Sequence, residues 1–323
     1  MPDHFAARLQ RLASRQGFCL TRRQVLAAGA TQKWLRVRLE TGRWKRVHPG
    51  VYVTFTGPIP WRTRAWAAVL YAGEGAVLGF EAAGYDAGIV RSPPATVDVW
   101  VPLARNARSR PGVRVHRRTC LPRDGMQTDP PRTRTDPTVL DLTSRCLDAD
   151  AVVGVLTEGL RRGASADGVL ALLAERPRQR WRRLLLEVLA DCEVGVESPL
   201  EWHYHRDVVQ RHGLPRFELQ SRHRVGGRWI RADSRCARFG VRTELDGALA
   251  HPGGRTDSDA WRDNDAVIDT DEITLRYRWA HVVGRPCHTA AQVVRALRRG
   301  GWTGQPRACG PECQLIQQLA SAA

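Results

Sequence analysis

A chain of 323 residues with 42% apolar side chains and 11 Trp is long enough for two or three domains, and too apolar to remain disordered. Its 50 Lys+Arg against 33 Asp+Glu leave a formal charge of +17, the electrostatic footprint of a protein that meets a polyanion such as nucleic acid. Lys33 and Lys45 are the only lysines, so an arginine-rich composition accounts for part of that excess. The opening stretch MPDHFAARLQRLASRQGF lacks the apolar segment of a signal peptide. The most apolar run, AWAAVLYAGEGAVLGF, is interrupted by Glu74 and too short to span a bilayer. Eight Cys without a disulfide rhythm read as reduced thiols, so the expectation is a cytoplasmic protein with no membrane contact.

The charge is uneven. Residues 1–90 carry 13 basic and 5 acidic side chains, whereas 195–323 carry 19 and 15, which places the phosphate-binding surface toward the front. There, DHFAARLQRLASR sets Phe5, Leu9 and Leu12 on one helical face. Thr21 is placed to N-cap RRQVLAAG, which Gly29 ends, and Thr31 to N-cap QKWLRVRLETG, which Gly42 ends. RWKRV and VYV flank HPG as a hairpin. Helix, short turn, second helix and basic hairpin is the order of a winged helix-turn-helix, whose second helix enters the major groove. Gln32, Lys33 and Arg36 on that helix, with Arg43, Lys45 and Arg46 on the wing, are the expected contacts to double-stranded DNA. The competing reading is a solvated basic face.

Residues 59–195 read as a mixed α/β scaffold without nameable chemistry. ATVDVWVP and GVRVHRRTC alternate like paired strands across the basic loop LARNARSRPG; IPWRTRAWAAVLYAG, PTVLDLTSRC, DADAVVGVLTEGLRR, ADGVLALLAE and QRWRRLLLEVLADC read as helices.

From Glu197 the order becomes α-β-β-β-α-β-α. Ser198 N-caps a helix with Pro199 in its first turn and Glu201 at the capping-box position. FELQSRHRV, RWIRADSRC and GVRTELDG are three strands, SDAWRDNDAVI a helix start, EITLRYRW a fourth strand and TAAQVVRALRRGGW a closing helix. In the third strand Val241, Thr243 and Leu245 share one face, and Arg242, Glu244 and Asp246 the other. With Asp233 on the second strand, three carboxylates meet at one sheet edge, a donor set suited to Mg²⁺ or Mn²⁺, with Glu201 orienting water or adding a ligand. Plainer readings stand beside each: Glu201 as a cap, Asp233 paired with Arg231 or Arg235, His251 as a loop residue, and Asp257, Asp259, Asp263 and Asp265 as charge at a helix N-terminus. Cys309 and Cys313 in CGPEC make half a zinc site, which Cys287 and His288 complete only if the tail folds back.

The front, GFCLTRRQVLAAGATQKWLRVRLETGRWKRVHPGVYV, resembles the winged-helix domain of the AbiEi antitoxin family of type IV toxin–antitoxin systems. The rear, SPLE, RAD, TELDGALAH, WRDNDAVI and LRYRWAHVVGRPCHTAAQVV, is similar to the Vsr-like branch of the PD-(D/E)XK nuclease superfamily. The resemblance implies an α+β chain divided as 1–58 (winged helix), 59–195 (scaffold), 196–302 (a restriction-endonuclease-like mixed sheet flanked by helices) and 303–323 (tail). It also implies a catalytic set at Glu201, Asp233, Glu244 and Asp246, a divalent cation on the last three, and an operator or cognate toxin as partner. The nuclease pattern carries Lys two residues beyond its second acid, and that position here is Asp246. Two functions are therefore open: metal-dependent DNA cleavage, or regulation by a nuclease fold without catalysis.

Overall fold

The computed structural model describes residues 3–119, 121–193, 196–225, 228–246, 268 and 272–321. The chain is an α+β protein with three sheets, divided into two compact units, Met1–Arg182 and Arg183–Ala323.

The first unit opens with α1 (Asp3–Arg15), β1 (Cys19–Thr21), α2 (Arg22–Ala27), α3 (Gln32–Glu40), β2 (Lys45–His48) and β3 (Val51–Val53). The two caps fall where the sequence places them. Thr21 Oγ1 accepts from Gln24 N at 3.2 Å while Gln24 Oε1 accepts from Thr21 N, a reciprocal capping box, and Thr31 Oγ1 accepts from Trp34 N at 3.1 Å. Gly29 and Gly42 end α2 and α3 with φ of +104° and +68°, a conformation costly to a residue with Cβ. Gly50 at φ +74° turns the β2–β3 hairpin. Strand β1 was not anticipated; it pairs antiparallel with β3 and closes a three-stranded sheet, β1-β3-β2. The core beneath α1–α3 is Leu9, Leu20, Val25, Leu35, Trp44 and Tyr52, with Trp34 packed edge-on to both Phe5 and Trp44.

Next come α4 (Trp61–Ala72), β4 (Val77–Leu78), α5 (Phe80–Asp86), β5 (Val97–Pro102), β6 (Val113–Arg118), α6 (Leu121–Asp124), β7 (Gly125–Met126), β8 (Arg132–Thr133), α7 (Thr135–Arg145), α8 (Ala149–Arg161) and α9 (Ala166–Glu175). Ala67 of α4 packs with Cys19, Val51 and Val53, which ties the winged helix to the scaffold. The sheet runs β6-β5-β4-β8-β7. The expected pairing of β5 with β6 is found, and it is parallel: residues 103–112 carry the chain back without a helix.

The second unit contains α10 (Arg182–Glu193), which starts at the boundary, and then α11 (Pro199–His203), continued by a π-helical turn over Tyr204–Gln210. After it come β9 (Glu218–Val225), β10 (Arg228–Cys236), β11 (Val241–Asp246), β12 (Ile273–Arg278), α12 (Trp279–Val282), α13 (Pro286–Arg299) and α14 (Leu315–Ala320). The sheet order is β12-β11-β10-β9, antiparallel except for the parallel β11–β12 pair. Tyr204, Phe217, Val241, Val294 and Leu297 build its core, and Leu315 brings the tail into the same core. The sequence-predicted helix start in SDAWRDNDAVI lies outside the described residues except Ile268, which is helical. Among the described residues no helix is long and apolar enough to cross a membrane.

Candidate nucleic-acid interface and an acidic sheet face

Helix α3 buries Leu35 and turns the opposite face outward. Gln32, Lys33 and Arg36 are all exposed, and so are Arg43, Lys45 and Arg46 around the wing. Between them runs a shallow depression lined by Leu39, Gly42, Trp44, Lys45 and Arg46. Of the six sequence-predicted contacts, all are exposed and Lys45 and Arg46 line this depression; two are tethered loosely. Arg36 Nε lies 3.8 Å from Glu40 Oε1 with both side chains largely in water, and Lys45 Nζ donates to Gly57 O at 3.2 Å. Arg38, on the same helix, lies instead against the Trp34 ring at 4.8 Å. Two exposed features of this region escaped the sequence reading: Arg22 and Arg23 stand exposed on α2, and Val37 on α3 is 45% exposed.

In the second unit β10 carries Asp233 and β11 carries Glu244. Arg235 pairs with Arg242 across the two strands, so period-two alternation puts Asp233 and Glu244 on their shared face. Asp233 Oδ2 accepts from Leu245 N at 2.7 Å. Glu201, only 7% exposed, accepts from Glu197 N, Ser198 Oγ and Gln220 Nε2 at 2.8, 2.9 and 2.9 Å. Burial pushes its carboxyl up, and the negative charge of Asp233 adds to that shift. Glu201 is therefore a cap that also has the charge of Asp233 as a neighbour. Gln220, at φ +51°, lies between the Ser221–Ala232 and Leu219–Ser234 pairs, and the β9–β10 register is the same on both sides of it. Of the two arginines offered as partners for Asp233, Arg231 binds Glu197 and Arg235 binds Glu272.

Glu244 has a cation close by: Arg242 Nε lies 3.6 Å from its Oε1. Arg242 is only 2% exposed and also donates to Thr274 Oγ1 at 3.0 Å, so a buried guanidinium offsets part of the repulsion that a metal was expected to relieve. Asp246 lies in β11 beside Arg278 of β12; its side chain is outside the described residues, as are His251, Asp257, Asp259, Arg262, Asp263 and Asp265.

Two constellations were missed because their members look unremarkable in sequence. In EWHYHRD, Asp207 receives His203 at 2.8 Å and Arg206 at 2.6 Å, while Arg206 stacks on Trp202. Burial raises the Asp207 carboxyl, but these hydrogen bonds outweigh it and hold it well below the usual range. In the scaffold, buried Asp98 meets His116 and Arg145, and buried Asp141 meets Arg118 and Arg176. The pairing of these acids is what permits their burial.

A third group lies at the tail. Cys287, Cys309 and Cys313 converge, as expected of a tail that folds back, but His288 is not with them: its Nδ1 is 3.0 Å from Gln318 Oε1. The histidine in the group is His212, from the turn after the π-helical segment.

No curated protein matches the chain. Among solved structures, the crystal structure of RV2827C protein from Mycobacterium tuberculosis is similar at 17% identity over 58% of this chain and 78% of that one. Its TM-score is 0.37, too loose to carry a functional argument. Residues 7–54, the span from α1 through the wing, match the family described as "Transcriptional regulator, AbiEi antitoxin", so the likeness to such regulators lies in the front of the chain.

Proposed function

We propose that this protein is a DNA-binding regulator of the antitoxin type, docking α3 in the major groove and the β2–β3 wing on the backbone. The observation that supports this reading is the exposure of Gln32, Lys33, Arg36, Arg43, Lys45 and Arg46 on α3 and around the wing, inside the segment 7–54 that matches the AbiEi regulators. Phosphate contacts from the five cations position the fold, and Gln32 with the exposed methyls of Val37 reads base edges. Its partners on this reading are an operator in double-stranded DNA and a cognate toxin. Fluorescence anisotropy with a labelled duplex tests it: Lys33→Glu with Arg36→Glu raises Kd at least about tenfold. An unchanged Kd sends the DNA contact elsewhere.

A second activity has its own support in the shared face of Asp233 and Glu244 with Glu201 alongside. On this reading the rear unit is a Vsr-like nuclease domain in which Asp233, Glu244 and Asp246 hold Mg²⁺ or Mn²⁺ and Glu201 orients water. With no lysine beyond Lys45 to take a proton, generation of hydroxide falls to the metal. The charge relief that Arg242 gives Glu244 favours the alternative, a nuclease fold retained without catalysis. Plasmid nicking with and without each cation separates the two: cleavage that needs metal and is lost in Glu244→Gln supports the nuclease, and no nicking leaves a regulator.

A further inference from the structure

We infer that His212, Cys287, Cys309 and Cys313 form a structural zinc site that clamps the C-terminal tail onto the second unit. The four come from three separate stretches of chain: the turn after the π-helical segment, the first turn of α13, and the loop before α14. Their ligand atoms all lie within 4.8 Å of one another. Cys287 Sγ is 3.6 Å from Cys309 Sγ and 3.7 Å from Cys313 Sγ, and Cys313 Sγ is 3.7 Å from His212 Nε2. Zn–S bonds of about 2.3 Å and Zn–N bonds of about 2.0–2.1 Å in a tetrahedron demand edges of about 3.8 Å between sulfurs and about 3.6 Å from sulfur to nitrogen. The observed edges match that geometry, and the sulfurs are too far apart for a disulfide, whose bond is about 2.05 Å.

The histidine is prepared for the role. It is fully buried, and its Nδ1 lies 3.1 Å from Val208 O, the second-shell bond that fixes the proton on Nδ1 and leaves the Nε2 lone pair aimed at the cysteines. The surrounding chain is stitched to the same point. Arg307 N donates to His212 O at 2.9 Å, its guanidinium donates to Arg211 O and Gln210 O, and Leu315 is fully buried just beyond Cys313. Three thiolates and one imidazole are a borderline-soft donor set that selects zinc over magnesium or calcium. Four protein ligands close the coordination shell, so the metal holds structure and leaves no position for substrate. Binding releases the thiol protons and contributes its free energy to folding.

The test uses the full chain, purified without a histidine tag and kept reduced, with metal content measured by mass spectrometry. About one zinc per chain is expected, falling below about a tenth in Cys309→Ser with Cys313→Ser and unchanged in His288→Ala and Cys146→Ser. Reduced apoprotein titrated with Zn²⁺ against a chromogenic chelator should bind tighter than about 100 nM. Cobalt in place of zinc should give the intense visible bands of a tetrahedral thiolate site. Because metal content and affinity are read on the wild-type chain, a variant that fails to fold does not obscure the result. Binding weaker than about 1 μM, or zinc retained in the double serine variant, overturns the assignment.

Discussion

Replacing Arg36, Arg43 and Arg46 with Ala removes three of the five exposed cations proposed to meet phosphate on α3 and around the wing, and leaves Lys33 and Lys45. All three arginines are exposed, and the contact Arg36 makes with Glu40 is long and solvated, so the substitutions should change folding stability by no more than about 0.5 kcal/mol. Their effect on DNA binding is far larger. Each neutralised phosphate contributes about −0.9 to the slope of log K against log salt, so five contacts give about −4.5 and two give about −1.8. Between about 50 and about 200 mM KCl the wild type should lose affinity about 500-fold and the triple variant about 12-fold. Anisotropy of a labelled duplex across that range reads both slopes, and thermal unfolding of the same samples controls for structure. Parallel slopes with unchanged stability would refute the assignment of these arginines to phosphate.

Loss of either cap hydroxyl, in Thr21→Ala or Thr31→Ala, should destabilise the first unit by about 1 kcal/mol, seen as a lower urea midpoint at unchanged m. Gly300→Ala should cost about 2 kcal/mol, since a Cβ there would lie 1.9 Å from Phe239 O and backbone must move to admit it. The depressed Asp207 carboxyl contributes stability that is present above its ordinary pKa of about 3.9 and is lost as pH falls through its lower folded value. Asp207→Asn should therefore be less stable than wild type at pH 7, with the gap closing below about pH 4 in acid-unfolding curves. A gap that persists at low pH would mean that packing, and not charge, carries the residue.

What the sequence made legible was local. Thr21 and Thr31 announce their helices because a hydroxyl before a run of apolar periodicity has one favoured use, and Gly29, Gly42 and Gly50 mark ends that need a positive φ. The alternation in GVRTELDG correctly separates Val241, Thr243 and Leu245 from Arg242 and Glu244. What it concealed was long-range. Strand β1 is only Cys19–Thr21, and it exists because β3 lies beside it. Nothing local shows that Arg242, on the face of Glu244 and Asp246, is buried, with Glu244 and Thr274 meeting its guanidinium. His288, next to Cys287 in sequence, faces Gln318, whereas His212 lies 75 positions upstream and is delivered by the fold. No periodicity or spacing rule links residues so far apart.

On the proposed function, α3 is the element that meets DNA. A photo-crosslinking amino acid placed at Val37, exposed on α3, and at Leu147, 85% exposed elsewhere in the first unit, tests that directly on the full chain with a labelled duplex. Efficient cross-linking at position 37 and background labelling at position 147 is the expected result. Equal labelling at both positions, or labelling at 147 alone, would contradict it.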